Sequence, residues 1–317
     1  MYLDFYQLRE YPFTLASDPR FLYFAPAHKE AMAGLLYSLR ERKGVSLLLG
    51  EPGTGKTTLL AAVQEMLPGG VIAQSLDTPL HATPQDALQA IVRGFELAPE
   101  GGLSELLARL QGYLRERHAA GECVLLLIDE AQDLNPLVLE QIRLLTNLEA
   151  GGHKLLQIIL SGQPELAAHL HNSNGRALHQ RVAVRCQLVP LRPEETRAYI
   201  EARMEHAGSA THRFDPAAVE RIHQLSQGVP RIINVIADHC LLAGFAAQAP
   251  IITRPLVERV AAQLDLAPLA PAAVAPAPRA TTLPRLASPP AAAQRPPALQ
   301  RFASGWARWA GLGEGSK

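Results

Sequence analysis

Two short stretches of this chain carry residue types that can handle phosphate chemistry. The first is GEPGTGKT at 50–57, set directly after the apolar run VSLLL at 45–49 and just before the helix-like LLAAVQEML. Gly50, Gly53 and Gly55 let the backbone turn its amide N–H groups inward at the start of a helix, where they can cradle a phosphate. Glu51, Pro52 and Thr54 complete the loop and Thr58 follows it. Lys56 brings a cation to the β- and γ-phosphate oxygens, and the Thr57 hydroxyl is placed to hold Mg²⁺. The second stretch is VLLLIDEAQDL at 124–134, an apolar run that ends in acids. As a buried parallel strand it delivers Asp129 to the same Mg²⁺ through its water shell, and Glu130 to an attacking water as general base. The simpler explanations are a glycine-rich turn and acids that merely end a strand or cap a helix. The pairing of the two motifs argues against the first, and Asn135 with Pro136 already supplies the next helix with a cap and a first-turn proline.

The elements that must position these residues alternate. Strand patterns at 45–49, 71–75, 124–128, 155–160 and 184–189 are separated by helical ones, which predicts a doubly wound α/β layer with a mainly parallel sheet. A nucleotide would then sit at the carboxyl ends of the strands. After Pro190 only helical patterns remain, at 193–207, 215–227, 230–247 and 254–264, with prolines as start signals and Gly208 and Gly228 as stops. The expected organisation is a lead-in with the first helix at 1–41, a nucleotide-binding core at 42–190, a small all-helical lid at 191–266, a disordered Ala/Pro-rich linker at 267–300, and a tail at 301–317. Phe302, Trp306 and Trp309 have helical spacing in that tail, which reads either as a short amphipathic docking helix or as a frayed end.

Composition sets the outer limits. With 317 residues, 48% of them hydrophobic, the chain can bury a large core. Lys plus Arg equals Asp plus Glu at 30 each, so no global basic field recruits nucleic acid. Cys123, Cys186 and Cys240 lie far apart without metal spacing and read as reduced thiols of a cytosolic protein. His169, His171 and His179 lack a partner carboxylate or thiol in sequence, leaving Mg²⁺ as the expected metal. No stretch approaches the roughly 18 to 20 consecutive apolar residues of a membrane span, and the expected location is cytoplasmic, extending to the periphery of the inner membrane.

Further motifs occur in a fixed order: an aromatic-rich opening from YLDFYQLREYPF, the GEPGTGKTT loop, LLLIDEAQDL, IRLLTNLE, LSGQPEL and GVPRIIN. Over roughly residues 1–265 the chain resembles the AAA+ P-loop ATPases of the ExeA, or general secretion pathway A, group. These are relatives of pilus-biogenesis and exopolysaccharide-export ATPases and, more distantly, of transposition ATPases of the TniB/TnsC kind. The resemblance implies ATP as the nucleotide. It places a sensor-1 polar group in LSGQPEL, either Ser161 or Gln163 with Gln163 preferred, and a sensor-2 arginine at Arg231, whose guanidinium suits a γ-phosphate. It places a trans-acting arginine finger at Arg181 or Arg185, Arg181 being preferred, so that hydrolysis needs a homo-oligomer. It runs Phe13, Tyr23 and His28 beside the adenine, although core packing explains them equally well.

The implied role is to assemble or energise a secretion, pilus or polysaccharide-export system. Secretion-pathway members carry a transmembrane helix and a peptidoglycan-binding region after the ATPase, and this chain shows neither, so a membrane-embedded partner protein is expected to substitute. The alternatives are a transposition regulator on duplex DNA, with Arg143 or Arg176 contributing charge, and a slow nucleotide-dependent switch.

Overall fold

The computed structural model describes residues 1–76, 83–172 and 175–266, so the linker and tail expected at 267–317 lie outside the described residues. In chain order the elements are α1 (Tyr2–Tyr6), α2 (Pro26–Arg40), β1 (Val45–Gly50), α3 (Lys56–Glu65), β2 (Val71–Leu76), α4 (Pro84–Gly94), α5 (Leu103–Ala119) and β3 (Cys123–Ile128). There follow α6 (Pro136–Leu145), β4 (Glu149–Ala150), β5 (His153–Lys154), β6 (Leu156–Gly162), α7 (Pro164–His171), α8 (Arg176–His179) and β7 (Val182–Leu188). The last four helices are α9 (Pro193–His206), α10 (Pro216–Ser226), α11 (Pro230–Ala246) and α12 (Arg254–Gln263).

Five strands form one parallel sheet in the order β2-β3-β6-β1-β7. Its strands are apolar almost throughout because both faces are covered, and side chains alternate between them. Leu47, Leu126, Ile158 and Leu160 point into a cluster with α4, α5, α6 and α7. Their neighbours Leu48, Leu125, Leu127 and Ile159 point into another with α2 and α3. The sequence pattern therefore gives the α/β layer and its strands to within two residues. The short β4–β5 hairpin, turned by Gly151 and Gly152, interrupts the expected helix-to-strand step before β6. The helices open as their prolines indicate, and side chains cap several of them: Thr83 accepts from the Asp86 N–H, Asn135 from the N–H groups of Leu137 and Val138, and Asp215 from that of Ala218.

The lead-in divides between the two parts of the molecule. Residues up to Phe13 do not join the α/β layer; Tyr2, Tyr6, Leu8 and Phe13 pack into the core of α9–α12. Phe13 meets Phe214 edge to face at 6.0 Å, the Tyr6 hydroxyl donates to the Ala249 carbonyl at 3.0 Å, and Tyr2 donates to Asp238. The reason is local: one turn of helix puts Tyr2 and Tyr6 on a single face, and a large amphipathic surface of that size finds its apolar partner on α11. From Leu22 and Phe24 onward, through α2, the chain packs on the sheet side.

Gly228 ends the turn before α11 with φ of 75°, and a Cβ there would lie 1.9 Å from the Leu191 carbonyl oxygen. The same glycine's carbonyl accepts from the Leu191 N–H at 2.8 Å, stitching the entrance of the lid to the start of α11. Gly228→Ala is therefore expected to lower the unfolding free energy by about 2 kcal/mol or more, through strain and backbone displacement together. Urea denaturation of the two proteins checks this.

Candidate functional site

The register of three adjacent strands assembles the site. β1 leads straight into the glycine loop, and β3 pairs with β6 so that Ile128 stands beside Leu160, which puts the following residues, Asp129 and Ser161, side by side. Leu48 of β1 pairs with the same Ser161. Asp129 is buried, and its carboxylate accepts from the Ser161 hydroxyl at 2.7 Å and from the Thr57 hydroxyl, on the first turn of α3, at 2.6 Å. Of the two candidates in LSGQPEL, Ser161 is the one whose side chain meets the acidic strand end. Gln163 instead caps α7 and contributes its backbone N–H, which donates to Gln132 Oε1 at 3.0 Å.

Gly53 and Gly55 hold φ of 79° and 97°, the conformation the loop requires. Thr54 braces the loop from within, its hydroxyl donating to the Glu51 carbonyl at 2.8 Å. Glu51 and Pro52 are exposed, and Thr58 borders the cleft beside Thr57. The Lys56 ammonium is buried and donates to the carbonyls of Gly50 at 2.8 Å and Glu51 at 3.3 Å. No carboxylate pairs with it among the described residues, so its charge remains for an anion in the loop. Glu130 borders the same cleft in a left-handed conformation with φ of 49°, and its carboxylate accepts from Gln132 Nε2 at 2.8 Å. The hydroxyl of Thr57 with the carboxylate of Asp129 is a hard-oxygen donor set that suits Mg²⁺.

The lid closes the other side. Arg231 stands at the start of α11, lines the cleft, and donates its backbone N–H to the Gly53 carbonyl at 3.2 Å. A Cβ on Gly53 would fall 2.6 Å from that of Arg231, so the glycine is what admits the lid to the loop. Behind Arg231 runs a chain of polar contacts. Tyr199 donates to Asn234 at 2.7 Å, and Arg203 donates to the Tyr199 hydroxyl at 2.8 Å and to the Pro12 carbonyl at 2.5 Å. The Arg203 guanidinium also lies over the Phe21 ring at 4.8 Å.

Of the residues expected beside the base, Tyr23 and His28 border the cleft. Phe13 does not, being buried in the lid core. His28 Nε2 lies 3.1 Å from the Thr54 carbonyl, which fixes it as the protonated nitrogen, and burial holds the imidazole pKa below 6.5, favouring the neutral ring.

Arg181 does not face this cleft. It precedes β7, whose other end pairs with Gly50, and seven residues at about 3.3 Å each place it roughly 20 Å away. Its guanidinium donates to the Thr146 hydroxyl at 2.6 Å and to Asn147. Arg185 is exposed on β7, and its guanidinium contacts His179 at Nδ1, 3.3 Å, and at the carbonyl oxygen, 3.5 Å. Arg143 is tied to Glu140 by two 2.7 Å contacts, whereas Arg176 is exposed at the start of α8. Sequence reasoning overlooked Gln132, Tyr199 and Arg203. Gln132 stands in DEAQDL, two residues after Glu130, but its partner at 163 is brought to it only by strand pairing.

Comparison with known proteins gives consistent matches. A family model described as an AAA domain matches residues 39–170. General secretion pathway protein A of Aeromonas hydrophila is 43% identical over 249 residues, covering 78% of this chain and 45% of that protein. The chain thus spans under half the length of this curated relative. Among solved structures, CDC6p from Pyrobaculum aerophilum aligns with a TM-score of 0.62 at 21% identity, over 76% of this chain and 68% of that one. The ORC2 protein of Aeropyrum pernix aligns with a TM-score of 0.57 at 17% identity, over 75% of this chain and 67% of that one. These structural likenesses carry the fold alone. With the parallel sheet, glycine loop and helical lid already in place, the sequence match decides the group: the chain belongs to the AAA+ P-loop ATPases related to general secretion pathway protein A.

Proposed function

We propose that the protein binds Mg·ATP between sheet and lid and hydrolyses it as a homo-oligomer, in order to assemble or energise a bacterial envelope system. The observation that carries this reading is the shared carboxylate of Asp129, which gathers Thr57 and Ser161 while Glu130 borders the same cleft. The ORC2 structure named above is described with ADPNP and ADP, which supports an adenine nucleotide here. The envelope role rests on the relative named for the general secretion pathway. Among the described residues no helix is long and apolar enough to cross a membrane; a membrane-embedded partner protein belongs to the reading through the secretion-pathway relative.

In this scheme the loop amides and Lys56 bind the phosphates, and Thr57 and Asp129 hold Mg²⁺, the latter through water. When bound, the ion neutralises phosphate charge. Glu130 takes the proton of the attacking water, while Ser161 keeps Asp129 oriented. Arg231 reads the γ-phosphate from the lid. Arg181 cannot reach its own cleft, which is the geometry of a group that serves a neighbouring subunit; to act it exchanges its contacts with Thr146 and Asn147 for the neighbour's phosphate. The DNA-bound reading draws less support, because Arg143 is already paired with Glu140.

The deciding experiment is the steady-state ATPase rate against protein concentration, with and without duplex DNA. A rate per subunit that rises with concentration and ignores DNA is expected; strong stimulation by DNA would favour the transposition-type role, and a slow, concentration-independent rate the switch. Lys56→Ala should abolish binding of a fluorescent ATP analogue. Glu130→Gln should bind it normally and lose turnover by a factor of about 100 or more. Arg181→Ala should bind ATP normally and lose the rise of rate with concentration, as read in the same titration.

A further inference from the structure

The side chain of Gln132 joins two parts of the site that the motifs treat separately. Its Oε1 accepts from the backbone N–H of Gln163, just past the end of β6, at 3.0 Å, and its Nε2 donates to Glu130 Oε2 at 2.8 Å. The orientation of this amide is not arbitrary. A backbone N–H can only donate, so the atom facing Gln163 must be the oxygen, and the NH₂ end is thereby turned toward Glu130. Gly162 makes the room: a Cβ on it would fall 2.8 Å from Gln132 Oε1 and 2.9 Å from Leu166 Cδ2. Glu130 itself holds a left-handed backbone conformation that a glutamate rarely adopts, so its direction is imposed by its surroundings.

We infer that Gln132 is the positioning residue for the water-activating Glu130, an amide anchored on the end of β6 that fixes the carboxylate's rotamer through a charge-assisted hydrogen bond. The inference rests on the hydrolytic reading given above. A glutamate carboxylate free to rotate about the three bonds of its side chain is seldom aligned with a water held at the γ-phosphate. One pinned through Gln132 to the strand bearing Ser161 is aligned with the same frame that carries Asp129. Gln132 touches neither loop nor phosphates in this arrangement, so it acts on the chemical step and leaves nucleotide affinity alone.

The test uses Gln132→Glu, with Gln132→Leu and Glu130→Gln alongside, each measured for affinity toward a fluorescent ATP analogue and for kcat and KM. Gln132→Glu keeps an oxygen for the Gln163 N–H and so preserves the anchor, but turns a carboxylate toward Glu130 in place of a donor. The expected result is a fall in kcat of about tenfold or more, with KM and analogue affinity within about twofold of the wild type, for both Gln132 variants. Gly162→Ala should reproduce the kcat loss by displacing the amide. A normal kcat in Gln132→Glu beside an inactive Glu130→Gln overturns the role of Gln132 while sparing that of Glu130. A loss of affinity matching the loss of kcat overturns it too, by showing a structural anchor only. Normal turnover in Glu130→Gln removes the general-base reading itself, and a wild-type protein without ATPase activity removes both.

Discussion

The carboxylate of Asp129 receives two hydroxyl groups from two different directions, Thr57 from the first turn of α3 and Ser161 from the end of β6. Through it the glycine loop, the acidic strand end and the neighbouring strand become one unit. The interaction is possible only because β3, β6 and β1 pair in one parallel register, which sets their carboxyl ends level. A buried carboxylate needs such donors to offset its lost hydration, and hydrogen bonds to a charged group contribute roughly 1.5 to 3 kcal/mol each. The acid therefore stabilises the geometry of the site around it. A slip of one residue in the β3–β6 pairing would send Asp129 to the opposite face and dissolve the site, which is why the long apolar runs flanking it matter as much as the acids.

The lid is held by a different kind of bond. Arg203 is a buried cation whose partners are a carbonyl, a tyrosine hydroxyl and two aromatic faces, and no carboxylate pairs with it among the described residues. Aromatic faces and oriented dipoles offset part of its desolvation without neutralising it. The consequence is a positive potential on the wall of the nucleotide cleft that Arg203 shares with Arg231, in keeping with a polyanionic ligand.

Much of this was legible in the sequence. The alternation of apolar runs and proline-started helices located the strands and the lid because burial on both faces and first-turn prolines are local, repetitive signals. The glycine loop and the acids at 129 and 130 were readable for the same reason: their chemistry needs consecutive residues. What escaped was every contact made across the chain. Phe13 lies in the lead-in that the resemblance runs beside the adenine, with core packing an equal alternative, and the partner that claims it, Phe214, is far along the chain. The sequence offers Ser161 and Gln163 within three residues with nothing local to separate them, and only the strand register shows that the Ser161 hydroxyl faces Asp129. Gln132 carried no signal of its own, for a glutamine in a polar turn is ordinary until its neighbours are known.

The placement of the first residues has a mechanical meaning. Since the chain up to Phe13 packs with α9–α12 while α2 packs on the sheet, the polypeptide passes between lid and α/β layer twice, once through residues 14–25 and once through residues 189–192. A body tethered at two points keeps one easy rotation, about the line joining them, and resists the rest. Both tethers border the cleft, with Thr14, Ser17 and Tyr23 on one and Leu191 on the other. The pivot of the lid thus runs along the rim of the cleft, and a rotation about it would carry α10 and α12, which do not line the cleft, through the longer arc.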